Sequence, residues 1–295
     1  MKTWCVIVCY RPNVETLREL CAVLSAQSAA VVLVDNTELP EYDLQLLIPG
    51  CRLTTLGFNS GIAHAQNIGI QTAIDAGADV VALFDQDSQI APGFLAALVA
   101  PLRLGVPAVV SPLYYDDISQ QELPSLAVSK CGISSAIHRE GQKDPYPVDV
   151  VISSGTAATR EVYENAGLLD ESLFIDFVDT EWCLRCRDKD IPILVVPEAV
   201  MHHRIGSRAI ATIIMTILAH NPARCYYQLR NCFLLFGKKH IPLLFSIKQL
   251  VAVFASRLLL LFFVNGRLAY LKAYAAALKD GITGVTGPNP RDAVP

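Results

Sequence analysis

Asp85-Gln86-Asp87 sets two carboxylates one residue apart, directly after the apolar run 80–84. Hard oxygen donors at that spacing suit Mg²⁺ or Mn²⁺, which keep open positions for substrate phosphates. A cation there neutralises a diphosphate as it leaves. An ordinary acidic turn has the same spelling. Asp35 also closes an apolar run, 30–34. A carboxylate so placed can accept hydrogen bonds from a nucleobase N–H or a ribose hydroxyl, although Asp35-Asn36 equally suits a turn. Asn59, Gly61, Asn67 and Gly69 lie where a helical stretch opens, and small residues there let the backbone approach a phosphate. Asp179 and Glu181 sit in Asp176-Phe-Val-Asp-Thr-Glu-Trp182. A carboxylate at a helix start can take the proton of an attacking hydroxyl, and Trp182 offers a face to a sugar ring. Helix capping and a core Trp are the structural alternatives. His202-His203 can complete a metal site begun by carboxylates.

The elements that must position these residues alternate. Apolar runs at 4–10, 30–34, 52–56 and 79–84 predict buried strands, and helical spacing predicts helices over 13–26, 60–76 and 92–104. A further strand is expected at 108–111. The implied architecture is α/β with a mostly parallel sheet, whose ligands sit beyond the carboxyl ends of the strands. From 112 to 150 the pattern loosens, with antiparallel pairing in prospect. A strand is expected at 148–153, leading to Ser154-Gly155-Thr156, then a helix from Thr159 to Gly167 and another over 179–189. A strand at 193–196 follows, 200–204 brings His202 and His203 to the start of the basic segment, and the chain beyond about 208 reads as all-helical.

Charge divides the 295-residue chain. Residues 1–200 carry a net −14, whereas 201–279 hold eleven Lys and Arg and no Asp or Glu. A basic, acid-free segment suits a phosphate-rich surface. Its interleaved residues are aliphatic rather than an aromatic platform, which argues for an anionic membrane and against nucleic acid. The stretch 241–264 is interrupted by Lys248 and Arg257, so an interfacial helix with snorkelling cations is expected rather than a span. No secretory leader is evident, and the cytoplasm is the expected compartment. Nine scattered Cys read as buried thiols; Cys183-Leu-Arg-Cys186 matches C-x-x-C without a partner pair.

Taken in order, VVLVDNT (31–37), NSGIAHAQNIG (59–69), LFDQDS (83–88), ISSGTAATREVYENAGLLDESLFID (152–176), DTEWCLR (179–185) and HHRIG (202–206) resemble family 2 glycosyltransferases of GT-A fold. The 152–185 block and Arg224-Cys-Tyr-Tyr-Gln-Leu-Arg-Asn231 resemble the bacterial rhamnosyltransferases of polysaccharide and O-antigen synthesis.

The resemblance implies a GT-A catalytic domain over 1–206, with a donor half to about 111 and an acceptor half from 112. A basic, membrane-associating helical segment over 207–280 and a tail over 281–295 follow. It implies an inverting, Mg²⁺- or Mn²⁺-dependent transfer from a nucleotide sugar, dTDP-L-rhamnose, to a lipid-linked saccharide at the inner face of the cell membrane. Asp179 becomes the base. Tyr10, Asp35, Asn36, Asn59, Gly61, Asn67 and Asp85 become donor contacts. Asp87, His203 and Asp85 become metal ligands, and Gly155, Thr156, Glu181 and Trp182 acceptor contacts. Relatives commonly have Glu-Asp where this chain has Val178-Asp179, which leaves Glu181 as a rival base. A sugar nucleotidyltransferase would normally show a Gly-rich basic loop after the first strand; Tyr10-Arg-Pro-Asn13 is not one.

Overall fold

The computed structural model describes residues 1–27, 29–40, 42–116, 122–123, 125–138, 141–203, 208–211 and 216–291, with backbone alone for 203, 208–211 and 216–217. The first half alternates as expected: β1 (Thr3–Cys9), α1 (Val14–Ala26), β2 (Ala30–Asp35), α2 (Leu44–Leu47), β3 (Arg52–Thr55), α3 (Ile62–Asp75), β4 (Val80–Asp85) and α4 (Phe94–Val99). Then come β5 (Val109–Asp116), the hairpin β6 (Ser125–Val128) and β7 (Ser134–Ile137), β8 (Tyr146–Val148), β9 (Ala157–Thr159), α5 (Arg160–Ala166), a 3₁₀ turn (Glu171–Leu173), α6 (Val178–Asp188) and β10 (Ile193–His203).

Eight strands form one mixed sheet, ordered β3-β2-β1-β4-β9-β5-β10-β8. β1, β2, β3 and β4 are parallel, and so are β5 and β10. β9 runs antiparallel to both β4 and β5. The central strands bury both faces, which is why they read as unbroken apolar runs. On one face Val6, Val8, Val32 and Val34 pack with α3 residues Ala63, Ala65 and Ile70. On the other, Cys5, Ile7, Cys9 and Leu33 pack with α1 residues Leu17, Cys21 and Leu24. A Cβ on Gly69 would lie 2.2 Å from Val6 Cγ1, so this glycine lets α3 rest directly on β1.

Three expectations change. The strand expected at 148–153 is β8, which ends at Val148. The strand expected at 193–196 runs on to His203 as β10, whose register slips between Val196 and Val200. Pro197 stands in that slip and cannot donate to a ladder. The tail is not all helix: a hairpin of β11 (Arg208–Ala211) and β12 (Thr216–Ala219) precedes α7 (Pro222–Leu235), α8 (Leu243–Leu260) and α9 (Arg267–Thr283).

Two of the tail's cations and one histidine meet acids of the body. Arg224 pairs with Asp176 at 3.1 Å, Lys238 with Asp170, and His240 Nε2 lies 2.8 Å from Glu181 Oε1. Arg230 and Arg257 are buried. Lys239, Lys248, Arg267, Lys272 and Lys279 stay exposed. Part of the basic excess therefore docks the tail and only part faces outward. By length and composition α8 suffices to cross a membrane, although one side of it, with Phe245, Ser246, Arg257 and Leu260, is buried against the protein.

Candidate active site

The parallel register puts the candidate donor residues on one rim. Cys9 pairs with Asp35 and Val8 with Asp85, so the carboxyl ends of β1, β2 and β4 lie side by side. Gln86 ties two of them together: its Oε1 accepts from Tyr10 N at 2.7 Å and its Nε2 donates to Tyr10 O at 3.2 Å. This tie is not legible in the sequence, where the middle residue of the acidic motif reads as a spacer. Asp35 is buried, and its Oδ1 accepts from Thr37 N at 3.1 Å and Tyr42 OH at 3.4 Å. Asn36 reaches the next loop: Oδ1 accepts from Ser60 N at 2.7 Å, and Nδ2 donates to Asn59 Oδ1 at 3.2 Å. Tyr10 and Asn59 line a cleft of about 660 Å³, closed on its far side by Arg224 and Tyr227 of α7.

Two expected donor contacts are corrected. Asn67 is buried and fully engaged: Nδ2 donates to Leu169 O and Glu171 Oε1, and Oδ1 accepts from Leu169 N. Gly61 does not present a helix N-terminus to a phosphate. Phe174 O accepts from Ile62 N at 2.8 Å, occupying that position. Gly61 has φ +86°, and a Cβ on it would come within 2.6 Å of the Phe174 ring. The glycine is required by a protein contact.

Asp85 N donates to Ser154 Oγ at 3.1 Å, which fixes the start of the acidic turn, and Asp87 is exposed. Gln89 bridges His202, which brings the end of β10 beside that turn. The side chain of His203 lies outside the described residues. Among the described residues no three His, Cys, Asp or Glu gather as a metal cluster. Asp85 and Asp87 nevertheless fit a hard divalent cation, since both are oxygen donors on one accessible turn and water and phosphate supply the remaining ligands. Cys183 and Cys186 are buried in the core, and burial pushes the Cys186 thiol up to about 12. A thiol so protonated suits neither metal ligation nor redox chemistry.

Asp179 lies in the first turn of α6. Burial pushes its carboxyl up to about 6, the Asp176 and Asp85 carboxylates add to the rise, and the Thr180 N–H, 2.7 Å from Oδ1, opposes it. A carboxylate near neutrality is a better proton acceptor than a solvated one. Thr156 and Trp182 line a small cavity with Asp179. Trp182 stacks on Tyr163 at 5.6 Å between centroids, and its Nε1 donates to Gly167 O at 3.0 Å. Gly155, at φ +80°, is wedged where a Cβ would meet Met201 Sδ at 2.6 Å, so packing accounts for it.

Glu181 is corrected both as acceptor contact and as rival base. It is buried, and its oxygens accept from Arg185 Nε at 3.0 Å and Nη2 at 2.8 Å, with His240 alongside. Burial alone would raise its carboxyl; His240 and Arg185 outweigh that and hold it below the usual range. It clamps the tail to α6.

The turn before Asp179 is strained. Phe174, Asp176 and Phe177 have φ of 65°, 63° and 64°, each costing on the order of 1–3 kcal/mol for a non-glycine residue. α7 holds the turn. Asn231 Nδ2 donates to the carbonyls of Leu173, Ile175 and Asp176 at 3.0, 2.8 and 3.0 Å. Arg230 Nη2 donates to Leu173 O at 3.1 Å. Tyr227 stacks on Phe174 at 4.7 Å, and Arg224 holds the Asp176 carboxylate. The 224–231 motif is thus the brace of the turn that precedes Asp179, a role that sequence spacing does not reveal.

With this geometry in place, comparison with known proteins is informative. The profile of the family described as Glycosyl transferase family 2 matches residues 4–166. The chain is 38% identical over 285 residues, 96% of each protein, to the dTDP-rhamnosyl transferase RfbF of Shigella flexneri. Among solved structures, S. aureus TarS superposes with a TM-score of 0.58 at 15% identity, covering 97% of this chain and 49% of TarS. GalNAc-T7 with UDP, GalNAc and Mn²⁺ gives 0.52 at 18% identity, covering 69% of this chain and 44% of that one. The chain thus spans about half the length of those two structures, and the likeness to them is one of fold.

Proposed function

The chain belongs to glycosyl transferase family 2 and is a glycosyltransferase of GT-A fold; from that premise we propose that it moves L-rhamnose from dTDP-L-rhamnose to a saccharide hydroxyl, with inversion at the anomeric carbon, in cell-surface polysaccharide synthesis. The end-to-end match with the Shigella flexneri enzyme, tail included, supports the donor.

Asp35 reads the base and ribose, with Tyr10, Asn36 and Asn59 shaping that end of the cleft. Asp85 and Asp87, with His203, would hold Mg²⁺ or Mn²⁺, which when bound would supply positive charge to offset that of the departing diphosphate. Asp179 accepts the proton of the acceptor hydroxyl as the new C–O bond forms on the face opposite the nucleotide. Thr156 and Trp182 bound the space beside it. The observation that carries this reading is the position of Asp179: a high-lying carboxyl at the start of α6, beside the acidic turn and lining a cavity.

The acceptor in this reading is lipid-linked, and the enzyme sits peripherally on the cytoplasmic face of the cell membrane. Leu244, Ile247, Val251, Phe254 and Leu258 recur at helical spacing on α8 and are all exposed, with Lys248, Arg267 and Lys272 exposed in the same segment. An apolar stripe with basic residues around it suits an anionic interface.

The test is incubation of the purified chain with dTDP-L-rhamnose, a saccharide acceptor and Mn²⁺, with NMR of the product. Release of dTDP and an inverted anomeric centre are expected. Turnover of a UDP-sugar but not of dTDP-L-rhamnose overturns the donor, and a retained configuration overturns the mechanism.

A further inference from the structure

A second cleft, of about 340 Å³, opens on the other side of the base-bearing turn. Asp176, Phe177 and Thr180, which flank Asp179, form one wall; Val253, Ser256 and Arg257 of α8 form the opposite one, with Leu218, His220 and Gln228 between. The cleft therefore runs between the residues that flank Asp179 and the helix that carries the exposed apolar stripe.

The charge inside it is unbalanced. Among the described residues Asp176 is the only acid lining the cleft, and it is already held by Arg224 at 3.1 Å and by Gln228 at 3.4 Å. Arg257 is 5% exposed. Its guanidinium donates to neutral atoms: Cys225 Sγ at 3.3 Å, Leu218 O at 3.2 Å and Ser256 Oγ at 3.3 Å. A guanidinium has five N–H donors, so two have no acceptor among the described residues, and Arg257 enters no salt bridge there. Buried cations are ordinarily paired. A guanidinium with spare N–H groups on a cleft wall is matched by the oxygens of a phosphate.

We infer that this cleft is the acceptor's binding site and that Arg257 binds a phosphate group of the acceptor. The inference rests on the reading that the chain transfers a sugar to an acceptor at Asp179. Two sources share this chemistry: the phosphate linking a saccharide to a lipid, whose chain would run onto the α8 stripe, and the phosphate of a soluble sugar phosphate. Arg257 is a binding residue here and takes no part in bond making.

The experiment measures binding of octyl phosphate, methyl phosphate and octyl glucoside to the full chain by calorimetry, with dTDP and Mn²⁺ filling the donor site. Octyl phosphate is expected to bind one to one, at least tenfold tighter than octyl glucoside. Arg257→Gln is expected to lose that preference and Arg257→Lys to keep part of it. Ser256→Glu covers the case in which Arg257→Gln fails to fold: it keeps Arg257 and supplies the missing carboxylate, so phosphate binding is lost while dTDP binding persists. Tighter binding of octyl than of methyl phosphate assigns a lipid-borne group; equal binding assigns a soluble one. Unchanged octyl phosphate affinity in Ser256→Glu overturns the site, as does octyl phosphate binding that dTDP abolishes. Transfer from dTDP-L-rhamnose to a saccharide acceptor by the same preparations separates the two readings. Its absence in the wild type removes the sugar-transfer reading and leaves the phosphate site to be judged on binding alone.

Discussion

The side-chain amide of Asn231 donates to the main-chain carbonyl of Asp176 at 3.0 Å, three residues before Asp179. It also serves the carbonyls of Leu173 and Ile175. One buried side chain in the tail thus fixes the strained turn that delivers the base. Asn231→Ala leaves those acceptors without their donor, at a cost on the order of 2–4 kcal/mol. Denaturant unfolding is expected to show that loss. The turnover number is expected to fall at least tenfold, with a smaller rise in the donor KM, because Phe174 and Ile175 of this turn also line the cleft beside Tyr10 and Asn59.

Asp179→Asn is expected to lower transfer by about 10²–10⁴-fold. In the folded protein the Asp179 carboxyl titrates near 6, above its ordinary 3.8. The folded state therefore holds this proton more tightly than the unfolded chain does, and this group's contribution to stability is lost as pH rises from about 4 through about 6. At pH 7.5 the Asn variant is expected to be more stable than the wild type by on the order of 1 kcal/mol. The wild-type rate is expected to rise through an acid limb with a midpoint near 6. A flat profile between pH 5 and 7 would remove Asp179 as the base.

Glu181→Gln should behave in the opposite way. It breaks a buried pair with Arg185 and His240, which costs about 3 kcal/mol, and once folded the variant should transfer sugar at close to the wild-type rate. The Glu181 carboxyl is held below its ordinary range. Its contribution is therefore present at neutral pH and is lost as pH falls through the lowered folded value. Thermal melts of wild type and variant should converge in acid.

Removal of the metal with EDTA is expected to abolish transfer, and added Mn²⁺ to restore it. Asp87→Ala should weaken Mn²⁺-dependent dTDP binding at least tenfold, whereas Asp179→Asn should leave that binding intact. Calorimetry with and without Mn²⁺ distinguishes the two. Equal metal-dependent binding in Asp87→Ala and wild type would exclude Asp87 as a ligand.

Flotation with anionic liposomes tests the α8 stripe. Val251→Asp with Phe262→Asp is expected to release the protein into the soluble fraction, since Val251 is 61% and Phe262 74% exposed in the structure. Raised salt should weaken binding by screening the basic residues. Wild-type flotation insensitive to both salt and lipid charge would defeat the electrostatic part of the proposal.

The parallel strands and the residues at their ends were legible because burial on both faces leaves an uninterrupted apolar run followed by a polar residue; β2 with Asp35 and β4 with Asp85 show this. β9 was not legible. Ala157-Ala158-Thr159 is too short to display a period, and its antiparallel place between β4 and β5 is set by partners about 50 to 80 residues away. Asn67 reads as available because its partners, Leu169 and Glu171, are remote in sequence; Arg185 stands one helical turn from Glu181, but His240, which completes that pair, is remote. The acid-free tail was visible as charge, but the acids that meet it, Asp170, Asp176 and Glu181, lie in the preceding half.

The brace between α7 and the 173–177 turn bears on the order in which the enzyme comes into being. The strands that carry Asp35 and Asp85 leave the ribosome well before Asn231 does. Until α7 has emerged and packed, the turn lacks the Asn231, Arg230 and Arg224 contacts that hold its left-handed backbone, and the segment carrying Asp179 can relax. A nascent chain can therefore acquire its nucleotide end first and its proton acceptor last. An unfinished copy would hold a sugar nucleotide without being able to spend it.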